Sequence, residues 1–255
     1  MLRRRLIPSL LLRKGRLVKG VRFAAHRDAG HPVGTARAHN AQGADEIVIL
    51  DIDAAREGRG PDLEMLKAVA AVSFIPLTIG GGITSADIGK AGIAGGADKV
   101  MVTATALNRP ALVGELARAL GVQAVVVGID VMREDGRVLL YDHLTGSTAG
   151  TGEWVEWLRR AVGEGAGEIR LMSVDREGVR KGFDLALYEE AARHVSVPII
   201  LEGGAGSLAH LDDAFKAGVE AVGLGTMLVF SDNNIFKLKQ YLDRRGHQVR
   251  RLEGA

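Results

Sequence analysis

Eight short apolar runs punctuate this chain, at 5–12, 46–53, 75–81, 99–103, 123–130, 168–174, 197–203 and 221–225. Most are continuously hydrophobic rather than alternating, the pattern of parallel strands buried on both faces. Between them, stretches at 33–42, 63–72, 86–94, 111–120, 154–162, 186–194, 208–216 and 235–245 space their apolar residues as helices do. Pro110 suits a first helical turn and Ser207 a helix N-cap. Eight strand–helix units joined by right-handed crossovers can close into a barrel or lie open as a doubly wound sheet.

An internal repeat decides between them. Residues 43–105 recur without a gap at 165–227. In one common register Gly43-Ala44 returns as Gly165-Ala166, Asp53 as Asp175, Asp62-Leu63 as Asp184-Leu185, Pro76 as Pro198 and Gly81-Gly82 as Gly203-Gly204. Two equal halves close naturally into a ring, whereas an open sheet needs edge strands unlike its middle ones. The expected fold is therefore α/β, a (β/α)8 TIM barrel of two duplicated half-barrels, roughly 1–120 and 121–255. The 255 residues match the typical barrel length of about 250, and no linker divides the single domain spanning 1–255.

Composition narrows the function. Thirty-three basic residues nearly balance 31 acidic ones, leaving a net charge of +2 and no basic stripe for nucleic acid. The clusters Arg3-Arg4-Arg5 and Arg244-Arg245 with Arg250-Arg251 read as solvated faces or chain ends. The basic start followed by Leu6–Leu12 looks like a signal peptide, but no small-residue cleavage site follows and Arg13, Lys14 and Arg16 arrive at once. That segment reads as a buried strand. No run reaches the roughly 20 apolar residues of a membrane span. The absence of cysteine excludes disulfides, thiolate metal sites and cysteine nucleophiles, and permits the cytoplasmic location expected here.

In a barrel, chemistry belongs to the C-terminal strand ends and the loops after them. Gly81-Gly82 and Gly203-Gly204 stand at such ends, each before a serine that starts a helix (Ser85, Ser207). Glycines there leave backbone N–H groups open to a phosphate, and the helix dipole adds to the attraction. With Thr103, Gly225 and Thr226 at neighbouring ends, they form the expected phosphate-binding set, suited to a small substrate with a phosphate at each end. Asp130 closes the apolar run VVVGID and can act as a general acid or base, or as the partner of a loop amide or lysine. Asp53 and Asp175 are copies of each other, which favours a structural part in the loop for at least one of them. His143 and the other histidines lack metal-ligand spacing, so neither metal nor cofactor is expected. At the opposite end Arg5, Glu46, Lys99 and Glu168 begin strands and can neutralise one another as a salt-bridged ring. From the residues alone, these are ordinary stabilising ion pairs.

With those residues placed, the chain resembles the HisF family, the cyclase subunit of imidazole glycerol phosphate synthase. The resemblance runs along essentially the whole length, through KGRLVKG (14–20), DEIVILDI (45–52), GGGI (80–83), GADKV (96–100), QAVVVGID (123–130), GAGEI (165–169), SVDREG (173–178) and GGAG (203–206). It implies a barrel that docks a HisH-like glutaminase on its N-terminal face and passes ammonia through its interior to a substrate at the C-terminal face. It also implies that Arg5, Glu46, Lys99 and Glu168 form the gate of that passage, and that Lys19, in the first loop, and Asp130 occupy catalytic positions.

The departures from the family pattern gather at the mouth. Where the family reads CLD, with an essential acid/base aspartate, this chain has Ser9-Leu10-Leu11. Thr103-Ala104 replaces Asn-Thr, Glu177-Gly178 replaces Asp-Gly, and Arg170, Met172 and Glu202 stand where smaller or neutral residues are usual. Losing a general acid/base costs about 10²–10⁴ in rate. Glu202 could relay protons in its place, although it would repel a nearby phosphate. Leu10-Leu11-Leu12 and LDIDAAREGR (50–59) resemble a divergent branch associated with surface-glycan genes. There the barrel delivers ammonia to a separate amidotransferase for acetamidino modification of a sugar. That delivery is the expected function. The alternatives are a histidine-pathway cyclase using Asp130 and Glu202, and an inactive scaffold or allosteric partner of the glutaminase.

Overall fold

The computed structural model describes residues 3–148 and 153–251; residues 1, 2, 149–152 and 252–255 of the expected 1–255 domain lie outside the described residues. The first half contains β1 (Arg5–Arg13), β2 (Arg16–Val21), β3 (Ala24–Gly30), α1 (Pro32–Ala41), β4 (Ile47–Asp51), α2 (Leu63–Ala70), β5 (Leu77–Gly80), α3 (Ala86–Ala94), β6 (Lys99–Val102), α4 (Ala104–Asn108) and α5 (Ala111–Leu120). The second contains β7 (Val125–Glu134), β8 (Arg137–Asp142), β9 (Ser147–Thr148), α6 (Trp154–Glu164), β10 (Glu168–Ser173), α7 (Leu185–Ala192), β11 (Ile199–Glu202), α8 (Leu208–Lys216), β12 (Ala221–Leu224), α9 (Thr226–Val229) and α10 (Ile235–Arg244).

The parallel order β10-β11-β12-β1-β4-β5-β6-β7 closes on itself where β7 pairs with β10, so the sheet is the (β/α)8 barrel expected from the repeat. Alternate residues of each strand face opposite ways. Leu6, Ile47, Ile79, Val127, Ile169 and Leu201 point outward into the layer shared with the helices. Ile7, Val48, Met101, Val126, Ile200 and Ala221 point inward and form a separate apolar cluster in the lumen. Burying each large apolar side chain stabilises the fold by about 1.5–3 kcal/mol.

The duplication is visible in the helix starts. Asp62 accepts a hydrogen bond from Met65 N at 2.9 Å, and its copy Asp184 accepts one from Leu187 N at 3.2 Å. Ser85 and Ser207 cap α3 and α8 in the same way, each at 3.3 Å. Each cap satisfies an amide the helix cannot, at about 1 kcal/mol.

Two features depart from the expected pattern. The segment after β1 is an antiparallel hairpin, β2–β3, so Lys19 lies in a strand and not in a loop. Likewise β7 continues past Asp130 to Glu134 and folds back as β8. Both turns place two successive residues at positive φ, Lys14-Gly15 (48° and 73°) and Asp135-Gly136 (48° and 78°). That is the backbone of the tight hairpin turn for which X-Gly is the local signal.

Candidate functional site

At the N-terminal face the four strand-leading charges close a ring. Arg5 donates to Glu46 and, at 2.5 Å, to Glu168, while Lys99 donates to Glu46 at 3.0 Å and to Glu168 at 2.8 Å. Each carboxylate therefore lies between two cations, and both carboxylates are buried. Burial alone would lower the pKa of Arg5 and Lys99, but the attraction of Glu168 and Glu46 outweighs it and holds both above their ordinary values. The ring is charged, internally neutral, and spans the mouth of the apolar lumen.

At the C-terminal face the repeated glycines have repeated surroundings. Gly81 (φ 97°) and Gly203 (φ 100°) adopt the left-handed region. A Cβ on Gly81 would stand 2.0 Å from Asp51 O, and one on Gly203 would stand 2.5 Å from Ser173 O, the equivalent atom of the other half. Only glycine fits there. Thr103 (φ −128°, ψ −99°) and Gly225 (φ −117°, ψ −91°) share an unusual backbone and open α4 and α9. The Thr226 hydroxyl is buried without a hydrogen-bond partner. The seven residues expected to hold phosphate thus form two cradles, Gly81-Gly82 with Thr103 and Gly203-Gly204 with Gly225-Thr226. This backbone geometry is suited to anions.

The cradles are not equally open. The mouth pocket takes most of its lining from the first half, including Leu11, Gly81 and Thr103, and adds Asp130, His143 and Arg170 from the second. On the other side the β2–β3 hairpin lies over the end of β10, with Arg22 N donating to Glu177 O at 3.0 Å. It inserts Lys19 so deeply that a Cβ on Gly225 would stand 2.1 Å from Lys19 Nζ.

The three residues expected to carry catalysis share one buried ionic cluster. Arg170 Nε donates to Glu202 at 2.6 Å, and Arg170 Nη1 lies 3.4 Å from Asp130 Oδ1. His143 Nδ1 sits 3.2 Å from the other oxygen of Asp130. Burial pushes the Lys19 amine down, opposed by Glu202 and Glu177. Burial would raise Glu202, but Arg170 and then Lys19 hold it below its ordinary value. Burial raises Glu177, against the pull of Lys19.

Glu202 is therefore a charged ion-pair partner, and this geometry does not favour it as a free proton relay. Asp53 is the structural residue expected, bound to Arg13 at 3.0 Å. Sequence reasoning did not place His143 beside Asp130; the β7–β8 hairpin that delivers it was signalled only by Asp135-Gly136. Among the described residues, no three histidine, cysteine or carboxylate side chains are grouped to hold a metal, and no helix is long and apolar enough to cross a membrane.

Fold and site together define a duplicated (β/α)8 barrel with mirrored glycine cradles at one end and a closed ring of charges at the other. Residues 5–234 match the family described as "Histidine biosynthesis protein". The chain is 44% identical to imidazole glycerol phosphate synthase subunit HisF of Alkaliphilus metalliredigens, over 98% of this chain and 100% of that one. It is 41% identical to the same-named subunit of Exiguobacterium sibiricum over 98% and 100%, and 44% identical to that of Streptomyces coelicolor over 96% and 98%. The chain belongs to the histidine biosynthesis protein family, in its HisF branch.

Proposed function

We propose that this chain is the synthase subunit of a glutamine-dependent pair of the imidazole glycerol phosphate synthase type. In this reading ammonia from a HisH-like glutaminase enters at the charged ring, crosses the apolar lumen and reacts at the mouth with a substrate carrying a phosphate at each end. One observation carries the proposal: the closed ring of Arg5, Glu46, Lys99 and Glu168 covers one end of the barrel's apolar interior, and Asp130 with the two glycine cradles stands at the other. The names of the relatives support this histidine-pathway reading over the glycan-directed one expected from Leu10-Leu11-Leu12.

A second reading has two observations in its favour. Leu11 lines the mouth where the resemblance implies an acid/base, and Arg170 ties up both Glu202 and Asp130. On that reading the barrel supplies ammonia to another acceptor, through a separate amidotransferase such as one making acetamidino sugars.

The test supplies the purified barrel with ammonium salt at high pH and the bisphosphorylated histidine-pathway intermediate, and follows imidazole formation. Turnover supports the first reading. No turnover, with no recovery in Leu11→Asp, refutes it and favours the second.

A further inference from the structure

Above the apolar lumen, the inward positions change character. Ser9, Gly80, Gly128 and Gly223 contribute almost no side chain to the layer that follows Ile7, Thr78, Val126 and Ala221 on their strands. The space this leaves is occupied by Arg170 and Glu202. Arg170 pairs in register with Gly128 on one side and Ile200 on the other, and Glu202 pairs with Gly223. A Cβ on Gly223 would stand 2.5 Å from Glu202 Oε2, and the Arg170–Glu202 contact is 2.6 Å. Both side chains are 4% exposed. A buried ion pair thus lies across the barrel interior, between its apolar cluster and the mouth pocket that Arg170 also lines.

We propose that the Arg170–Glu202 pair is a second, upper gate of the lumen, opened by an anionic group of a ligand in the mouth. This inference rests on the ammonia-passing reading and adds its regulation. With the ring of Arg5, Glu46, Lys99 and Glu168 below, the pair bounds the apolar interior at both ends. The guanidinium is biased upward already, because its second contact is to Asp130, on the floor of the pocket. A phosphate above that floor offers the planar guanidinium of Arg170 two oxygens for bidentate pairing. Glu202 is not stranded when Arg170 turns away, because Lys19 also attracts it. The exchange moves one long side chain and leaves the strands in place. Ammonia would then leave the apolar interior only when a phosphorylated acceptor waits above it.

The test reads the gate directly. In the 15N-labelled full-length chain, the Arg170 Nε–H resonance is assigned by its loss in R170K and followed while inorganic phosphate is added. The expected result is movement of the Gly81 and Gly82 amides, together with about tenfold faster solvent exchange of the Arg170 Nε–H as its buried bond opens. Movement of the glycine amides with Arg170 unchanged overturns the gate and leaves the cradle standing. No response at either place removes the cradle reading and the trigger together.

In the assembled pair, R170L/E202L lowers the product formed per glutamine hydrolysed, because ammonia escapes through the open barrel. An unchanged ratio overturns the gate. Absence of turnover in the wild-type pair instead counts against the histidine-pathway reading, and the resonance still decides the gate.

Discussion

Gly81→Ala separates a turn that merely prefers glycine from a cradle that requires it. Gly136, in the β7–β8 turn, has φ 78° and nothing within 4 Å of a built Cβ, so Gly136→Ala costs only the left-handed backbone, about 1–2 kcal/mol. Gly81 carries the same backbone cost and a second one, because its Cβ would stand 2.0 Å from Asp51 O. That carbonyl cannot retreat freely, since Asp51 pairs with Leu12 in the barrel and its carboxylate is bound by Arg59. Forcing atoms into a packed site costs about 1–3 kcal/mol more. The total of about 2–5 kcal/mol corresponds, in a chain of this size, to a melting temperature lower by about 5–15 °C. Gly203→Ala, at 2.5 Å from Ser173 O, should fall between the two. Thermal melts of the three variants, with phosphate affinity by calorimetry, check the order. A Gly81→Ala protein that melts no lower than Gly136→Ala, or that binds phosphate as the parent does, would refute both the strain and the cradle.

Four further outcomes follow from the charged layers. Lys99→Ala leaves Glu46 and Glu168 sharing Arg5 alone, and should shift the ratio of glutamine-dependent to ammonium-dependent turnover while the glutaminase still docks; an unshifted ratio argues against the ring as a gate. Arg170→Leu leaves the buried Glu202 with Lys19 as its remaining cation and should cost about 1–3 kcal/mol in urea unfolding, part of it regained in R170L/E202L; equal stability of the parent and Arg170→Leu would show the pair is not buried as described. Asp130→Asn should abolish product formation in the pair, and unimpaired turnover would leave Asp130 a structural partner of His143 and Arg170. Hydrogen bonds from Lys216 and then His247, joined by Arg245, hold the Asp212 carboxyl below its ordinary range, so its stabilising effect is complete above about pH 4 and fades as the pH falls further. Asp212→Asn should therefore destabilise the chain at pH 7 by about 1.5–3 kcal/mol and by only somewhat less at pH 3, where the folded carboxyl is still ionised; parallel melts showing the difference already gone at pH 3 would refute the ion cluster.

The barrel was legible because its determinants are periodic and local. Continuous apolar runs specify strands buried on both faces, and a shared register over 63 positions specifies two halves. Cradle and ring were legible too, since glycine pairs and strand-leading charges need only a position on a strand to be placed at one face. The hairpins were harder to read. Arg16–Val21 and Ala24–Gly30 carry half-polar patterns, because they lie over the mouth and not inside the barrel. That displaced Lys19 into an imagined loop and concealed the route by which His143 reaches Asp130. The ionic crossbar was illegible for another reason. Arg170 and Glu202 stand 32 positions apart on neighbouring strands. Each reads alone as an oddity in an apolar run, and only the barrel register turns both side chains into one lumen.

The same register reassigns the proton chemistry. Glu202 was the expected substitute for the acid missing at Leu11, yet Arg170 and Lys19 hold it ionised, and a carboxylate kept below its ordinary range is a poor proton donor near neutrality. Burial moves two neighbours the other way. The Lys19 amine is lowered and the Glu177 carboxyl raised, each toward the pH at which proton transfer is most effective. Lys19 reaches the second cradle at Gly225 and each feels the other's charge, so an imidazole-forming reaction at this mouth would draw its second proton-transfer group from Lys19 and Glu177. Lys19→Met would then remove turnover even when ammonium salt is supplied in place of glutamine, whereas Glu202→Gln would spare it. The reverse pattern would return the role to Glu202 and leave Lys19 a counterion.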